Sequence, residues 1–228
     1  MGNSSSLTVI IPVLNEEDGI KKLGPALAGR QVLLVDGGST DETLKIASKF
    51  SFKVVSEPRL GYGRAYKTAL RHVKTEYIAC FDGDGTYSTQ DIGPALRLAA
   101  RGGADAVFGN RFGYPANVVK LHRRIGNMAI TMFINLLFGC RFEDSQSGFW
   151  VMRTSAARAH LPASDGMPFS QELKIRLTAS GLDTRWIPVH YIDRPSKGSK
   201  FNFFIDGFRL LTSALSLRLG NGGLLRGR

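Results

Sequence analysis

The sequence predicts an α/β fold, a mostly parallel sheet flanked by helices, and three observations predict it. Short apolar runs recur through the first half of the chain: Leu7 to Ile11, Val32 to Val35 and Tyr77 to Phe81. Runs of this kind, apolar at nearly every position, read as strands buried on both faces, as in parallel sheets. Stretches with helical spacing separate them, and strand–helix alternation is the pattern that wraps such a sheet. Each run also stops at turn residues that carry carboxylates or amides, which places polar chemistry at the carboxyl ends of strands, where open α/β sheets bind their ligands.

The elements follow in order. Leu7 to Ile11 is the first strand; Pro12-Val13-Leu14-Asn15-Glu16-Glu17 leads into a helix with acidic residues in its first turn, where the helix dipole favours them. Val32 to Val35 is the second strand, ending at Asp36-Gly37-Gly38-Ser39-Thr40, where Ser39 or Thr40 can cap a helix running to about Phe50. Lys53 to Val55 is a short third strand, and Gly61-Tyr62-Gly63-Arg64 opens a helix through about Val73. The Tyr77 to Phe81 strand is followed by a helix from Asp91 to Arg101 and a strand from Ala106 to Gly109. Beyond Asn110, Ile125 to Phe138 is apolar on nearly every face: a buried helix or one lying in a membrane interface. Phe149 to Met152 reads as a strand, Gln171 to Ala179 as a helix, and Trp186 to Ile192 as a late strand whose Pro188 marks an edge or bulge. The last helix carries Phe201, Phe204, Ile205, Phe208, Leu211, Leu215 and Leu219 at helical spacing, a stripe whose default reading is packing on the sheet, with Arg209 and Arg218 near it leaving a membrane-surface role open.

Charge is unevenly placed. The 228 residues carry a net +11. Up to Asn110 there are 13 basic and 12 acidic residues; after it, 17 basic and 7 acidic, so the second half holds +10. Such a bias points to a polyanionic partner on that half. No aromatic–basic motif or helix-turn-helix marks a nucleic-acid binder. The two cysteines, Cys80 and Cys140, form neither a disulfide framework nor a metal spacing, and Cys80 reads as a core residue. No signal peptide opens the chain, and no stretch reaches the roughly 18 apolar residues of a membrane span. A cytoplasmic protein is expected.

The chemistry centres on Asp82-Gly83-Asp84. Two carboxylates this close repel each other unless they share a cation, and hard oxygen ligands suit Mg²⁺ or Mn²⁺ gripping nucleotide phosphates. Asn15, Glu16 and Asp36 end neighbouring parallel strands and emerge on the same edge. Asp36 can accept hydrogen bonds from a base or ribose, Gly38 lets backbone come close, and Arg64 near a helix start can reach a phosphate. Turn and cap roles are the alternative for each residue taken singly.

Four segments together resemble the family 2 glycosyltransferases of GT-A fold: Val9 to Glu16, Leu34 to Asp41, Gly61 to Ala65, and Phe81 to Asp84. The resemblance implies a nucleotide sugar held by Pro12, Asn15, Glu16, Asp36, Gly38, Arg64 and Asp82, and a divalent ion on Asp82 and Asp84. Family members often carry two Asp residues where this chain has Asp36-Gly37. A second set of segments resembles the dolichyl- or polyprenyl-phosphate sugar synthases: Gly109-Asn110-Arg111-Phe112, Arg123-Arg124 before the apolar helix, Asp144 to Trp150, and Arg194 to Lys200. That resemblance implies a lipid phosphate acceptor bound by Arg111, Arg123, Arg124, Arg194 and Lys200, with Asp82, Asp84, Arg111 and Arg194 at the reacting groups. The enzyme would sit peripherally on the cytoplasmic membrane face. Where mannose synthases often place a metal-holding Gln, this chain has Thr86, which becomes a further metal candidate. One catalytic domain is expected, with a donor half over 7–110, an acceptor and membrane-facing half over 111–219, and a basic tail. UDP-sugar is favoured, with GDP-mannose next. Glu172 is the candidate base should the acceptor be a glycan or soluble hydroxyl, and a non-catalytic nucleotide-sugar or nucleic-acid module is the reading from another class.

Overall fold

A computed structural model describes residues 6–114, 119–192 and 203–220. Seven strands form one sheet in the order β3-β2-β1-β4-β6-β5-β7. β1 (Leu7–Val13), β2 (Val32–Asp36), β3 (Lys53–Ser56) and β4 (Tyr77–Cys80) run parallel. Their carboxyl ends therefore share one edge. β5 (Ala106–Asn110) and β7 (Thr184–Pro188) pair in parallel, while β6 (Trp150–Arg153) lies antiparallel between β4 and β5. The mostly parallel α/β architecture is as expected, and Pro188 ends the edge strand.

Side chains alternate across the strands, so each face of the sheet builds its own core. Val9 and Ile11 enter one core with Ile20, Leu23 and Leu27 of α1 (Glu17–Leu27), with α2 (Thr43–Ser48), and with Ile92, Ala95 and Ala99 of α4 (Ile92–Ala100). Ile10 enters the other with Tyr66, Ala69 and Leu70 of α3 (Tyr62–His72), with α6 (Thr154–Ala159), and with Phe169, Leu173 and Leu177 of α7 (Pro168–Ala179). Cys80 is buried there, as its place in an apolar run implied. A third cluster joins Ile130, Ile134 and Phe138 of α5 (Leu121–Phe138) to Ile175 and to Leu210 and Ala214 of α8 (Phe203–Gly220).

The last helix departs from expectation. α8 packs on α5 and α7 and buries Leu210 and Ala214 in the third cluster. Of the stripe read from the sequence, Phe208, Leu215 and Leu219 are exposed and Leu211 is half-buried, while Phe201 and the side chains of Phe204 and Ile205 lie outside the described residues. α5 is also two-sided. Gly126, Ile130, Ile134 and Phe138 are buried, while Leu121, Ile125, Met128, Met132 and Leu136 stand exposed along the opposite face. No described helix is long and apolar enough to cross a membrane.

Candidate functional site

The loops after β1, β2 and β4 meet at the shared edge, and short polar bonds set their shape. Asn15 adopts a left-handed conformation (φ 54°), which asparagine tolerates better than other side chains. Its amide donates to Ser39 Oγ (3.0 Å), its Oδ1 accepts from the Thr40 amide (2.8 Å), and the Glu16 amide donates to Thr43 Oγ1 (2.9 Å). The Asp36 carboxylate accepts from the amides of Gly38 and Ser39, both at 3.0 Å. Asp36 and Asn15 thus build the rim. Pro12 and Glu16 line the cavity behind it, about 410 Å³ in volume.

Asp82 and Asp84 stand in the wall of this cavity. Asp84 Oδ1 accepts from the Thr86 amide (3.1 Å) and the Thr86 hydroxyl (2.7 Å), so Thr86 braces the carboxylate with its proton. Lys22 of α1 reaches across to the Gly85 carbonyl (2.6 Å). Asp82 is pressed against the Gly148 backbone, where a Cβ would come within 2.7 Å of its Oδ2; only glycine fits there. Burial, and then the neighbouring Asp84 charge, push the Asp82 carboxyl up to about 7, with Tyr62 and Arg111 acting the other way. At neutral pH the pair is therefore short of positive charge, and its donors are hard oxygens, so these residues fit a divalent cation. No third His, Cys, Asp or Glu completes a metal cluster among the described residues. Asp82 and Asp84 would hold such an ion, which would supply positive charge to a nucleotide diphosphate.

Cations face the carboxylates. Arg111 lines the cavity and is held by Asp144, which is fully buried: its Nε and Nη2 donate to the two carboxylate oxygens at 2.7 and 2.8 Å, and its amide donates at 3.2 Å. The guanidinium also sits 5.4 Å from the Tyr191 ring centroid. Such a two-pronged pair fixes the arginine's plane before any ligand arrives. Arg123, in the first turn of α5, lines the same cavity. Arg124 is exposed and stacks its guanidinium over Phe112 at 5.7 Å.

Other expected residues lie elsewhere. Arg64 pairs with Asp165, which Lys67 also reaches (2.9 Å); this closes the start of α3 on the 163–167 loop, so that Gly61, Tyr62, Ala65 and Met167 line the cavity while Arg64 itself does not. Arg194 and Lys200 lie outside the described residues. Glu172 is buried under α7: it accepts from the amides of Ala163 and Ser164 and pairs with Arg176 at 2.8 Å, so its carboxylate is spent on structure. Conversely, Glu57 and Arg59 line the cavity without having been singled out. Arg59 and Thr68 hydrogen-bond the Glu57 carboxylate and hold it down at about 2. Their signal was the rule already applied to β1, β2 and β4, since Glu57-Pro58-Arg59 follows β3 at the same edge.

Comparison with known proteins places the chain in a family. The chain is 32% identical over 214 residues to Agl6 of Haloferax volcanii, a low-salt glycan biosynthesis hexosyltransferase; the match covers 90% of this chain and 52% of Agl6, so the chain spans about half that relative's length. It is 27% identical over 208 residues to a dolichyl-phosphate hexose transferase of the same organism, covering 88% of this chain and 89% of that protein. Glucosyl-3-phosphoglycerate synthase of Mycobacterium tuberculosis, solved with Mn²⁺, UDP and glucosyl-3-phosphoglycerate, shares the fold with a TM-score of 0.70 at 19% identity, over 95% of this chain and 80% of that one. The family model of glycosyl transferase family 2 matches residues 8–161, the span that runs from β1 through the Asp82-Gly83-Asp84 turn and Arg111 to α6. This chain belongs to glycosyl transferase family 2.

Proposed function

We propose that the protein moves a hexose from a nucleotide sugar to a dolichyl or polyprenyl phosphate at a membrane surface. One observation carries the reading: a single helix holds both halves of such an acceptor's chemistry. α5 puts Arg123 into the cavity beside Arg111, and then runs away from it with Leu121, Ile125, Met128, Met132 and Leu136 exposed. Cations inside and an apolar stripe outside suit an anionic head on a hydrocarbon tail. α8 alongside exposes Phe208, Leu215 and Leu219, which widens the apolar surface beyond scattered single residues. A helix with this two-sided character lies in the interface, and each nearby basic residue adds about 1 kcal/mol of attraction to an anionic leaflet. The homology to a dolichyl-phosphate hexose transferase supports the same acceptor.

The fate of Glu172 supports it as well. An acceptor hydroxyl needs a general base; a phosphate is already ionised at neutral pH. Glu172 and Asp144, the carboxylates on the acceptor side, are bound to Arg176 and Arg111. In the reaction, an acceptor phosphate oxygen attacks the anomeric carbon. The bond from that carbon to the donor diphosphate breaks, its electron pair leaves on the diphosphate, and configuration inverts. Arg111 and Arg123 hold the acceptor phosphate against its repulsion by the donor, with Arg124, Arg194 and Lys200 as further cations for it. Asp82 and Asp84 would hold the divalent ion, which when bound offsets the negative charge of the diphosphate. A UDP-sugar is the favoured donor.

The test is transfer itself. The protein is incubated with Mg²⁺ or Mn²⁺, labelled UDP- and GDP-sugars, and polyprenyl phosphate in vesicles. Label extracted into the organic phase is the expected result. Label in a water-soluble glycan or phosphoglycerate overturns the acceptor, and no transfer beside measurable nucleotide-sugar binding overturns the enzyme.

A further inference from the structure

α7 carries a buried polar face that catalysis as described above does not use. Ser170, Gln171 and Lys174 lie one turn apart on this helix, and all three bond to the loop that carries Asp144 and Gly148. Lys174 is 1% exposed. Its three ammonium protons meet three acceptors: the Ser147 carbonyl at 2.6 Å, the Ser145 carbonyl at 3.0 Å and Ser170 Oγ at 3.1 Å. The two carbonyls can only accept, so each takes an N–H of Lys174, while burial draws its pKa down to about 7 against the pull of Asp144. Gln171 works at both ends. Its Nε2 donates to the Leu210 carbonyl of α8 (3.1 Å), and its Oε1 accepts from Gln146 Nε2 (2.8 Å), whose residue lines the cavity. Ser145 closes the set on α5, sharing a hydroxyl contact with Thr131 at 2.9 Å.

The loop is thereby tied to α5, α7 and α8, the elements that surround the acceptor side. Both of its ends matter for the reacting groups: Asp144 sets the plane of Arg111, and Gly148 is the surface against which Asp82 rests. We propose that Lys174 and Gln171 are positioning residues that lock the 144–148 loop, and through it hold Arg111 and Asp82 in register across the cavity. This extends the reading of Arg111 and Asp82 given above and rests on it. A buried ammonium is a costly way to hold a loop, and apolar packing would serve if only stability were needed. What the ammonium adds is a single allowed position for two main-chain carbonyls of the loop, those of Ser145 and Ser147, together with a positive charge behind Arg111 where two anions are to meet.

The test uses Lys174→Met, near in length but without donors, and Gln171→Met. Binding of UDP with Mn²⁺ is measured directly, with transfer kinetics, melting temperature and amide hydrogen exchange of the 144–148 peptide. The expected result is that kcat falls at least tenfold in the Lys174 variant while nucleotide affinity stays within about twofold, and that exchange over 144–148 quickens at temperatures where the protein remains folded. The Gln171 variant should raise the acceptor KM more than the donor KM. Unchanged exchange over 144–148 in both folded variants overturns the proposal, as does a kcat within twofold of the parent, or a loss of kcat and nucleotide affinity in step with lowered stability. Should the parent protein transfer nothing to lipid phosphate, the proposed function fails by itself, and the exchange measurement, which needs no substrate, still decides whether the two residues lock the loop. Should the Lys174 variant not fold, the Gln171 variant carries the same decision.

Discussion

The donor side and the acceptor side of the cavity are built on opposite plans. On the donor side, loops after successive parallel strands are held by bonds between near neighbours or adjacent loops: Asp36 to Ser39, Asn15 to Thr40, Asp84 to Thr86. On the acceptor side the decisive pairs span long stretches of chain: Arg111 to Asp144, Lys174 to Ser147, Gln171 to Leu210. The first plan makes a site from turn geometry that the strand ends supply. The second makes one from buried charge, held in place by helices that pack elsewhere in the chain. A glycosyltransferase built this way can keep its donor loops rigid at little cost and concentrate its expensive interactions where, in the function proposed above, a second anion is received.

Experiments can break or sharpen that contrast. The largest effect is expected from Asp84→Ala, which removes an exposed-rim donor carboxylate with no buried partner charge: transfer falls by at least about 100-fold with little change in melting temperature, read by activity assay and calorimetry. Full activity in that variant would remove the Asp pair from the site. Asp144→Asn is the matching change on the other side. It leaves the Arg111 guanidinium buried without its counter-charge, so we expect a stability loss of about 3–5 kcal/mol in chemical denaturation together with lost activity. A loss of activity alone would mean that the acceptor side is no more strained than the donor side. Substituting Met132→Glu and Leu136→Glu together touches only exposed stripe positions. The melting temperature should stay within about 2 °C, since substitutions at exposed sites rarely matter for folding, while sedimentation with anionic vesicles drops about tenfold. Unaltered vesicle binding would sever the stripe from the membrane. The smallest effect is a pH dependence. Glu57 is held below its ordinary range by Arg59 and Thr68, so its stabilisation is complete above the unfolded carboxylate range and is lost as pH falls toward about 2. Glu57→Gln should flatten that part of the acid-unfolding profile, and an unchanged profile would show the pair to be too solvated to count.

The same contrast decided what could be read from sequence. The strands and the Asp82-Gly83-Asp84 turn were legible because burial on both faces leaves an unbroken apolar run and because Asp and Gly end it. Arg111 and Arg123 were legible by position, one after a strand and one before a helix. Asp36 and Arg64 were placed in the right neighbourhood, but their side chains are engaged with the rim and with Asp165, partners that spacing cannot reveal. Arg59 was passed over although β3 itself was legible, because a charge after a short exposed strand reads as a solvated turn, and only the packing of Glu57 and Arg59 shows that they line the cavity. α8 was turned the wrong way round: a periodic apolar stripe shows that one face differs from the other, and here Leu210 and Ala214, which are not in that stripe, make the buried helix contact while Phe208, Leu215 and Leu219 stand outside. Lys174 and Gln171 gave no signal at all. A polar face on a helix reads as solvated, and only the packing of a distant loop turns it inward.

The reversed direction of β6 has a consequence for how such a chain can diversify. β5 leaves the sheet at the ligand edge, and β6 re-enters from that same edge, paired Phe108 to Trp150. Everything between, from Arg111 to Phe149, is therefore a closed excursion that departs and returns at one place. Its outer part can change in length and content without shifting a strand, provided that Asp144 and Gly148 keep their contacts with Arg111 and Asp82, much as a tool head is changed on a fixed handle. Relatives that glycosylate unlike acceptors would then be expected to differ most in this one cassette.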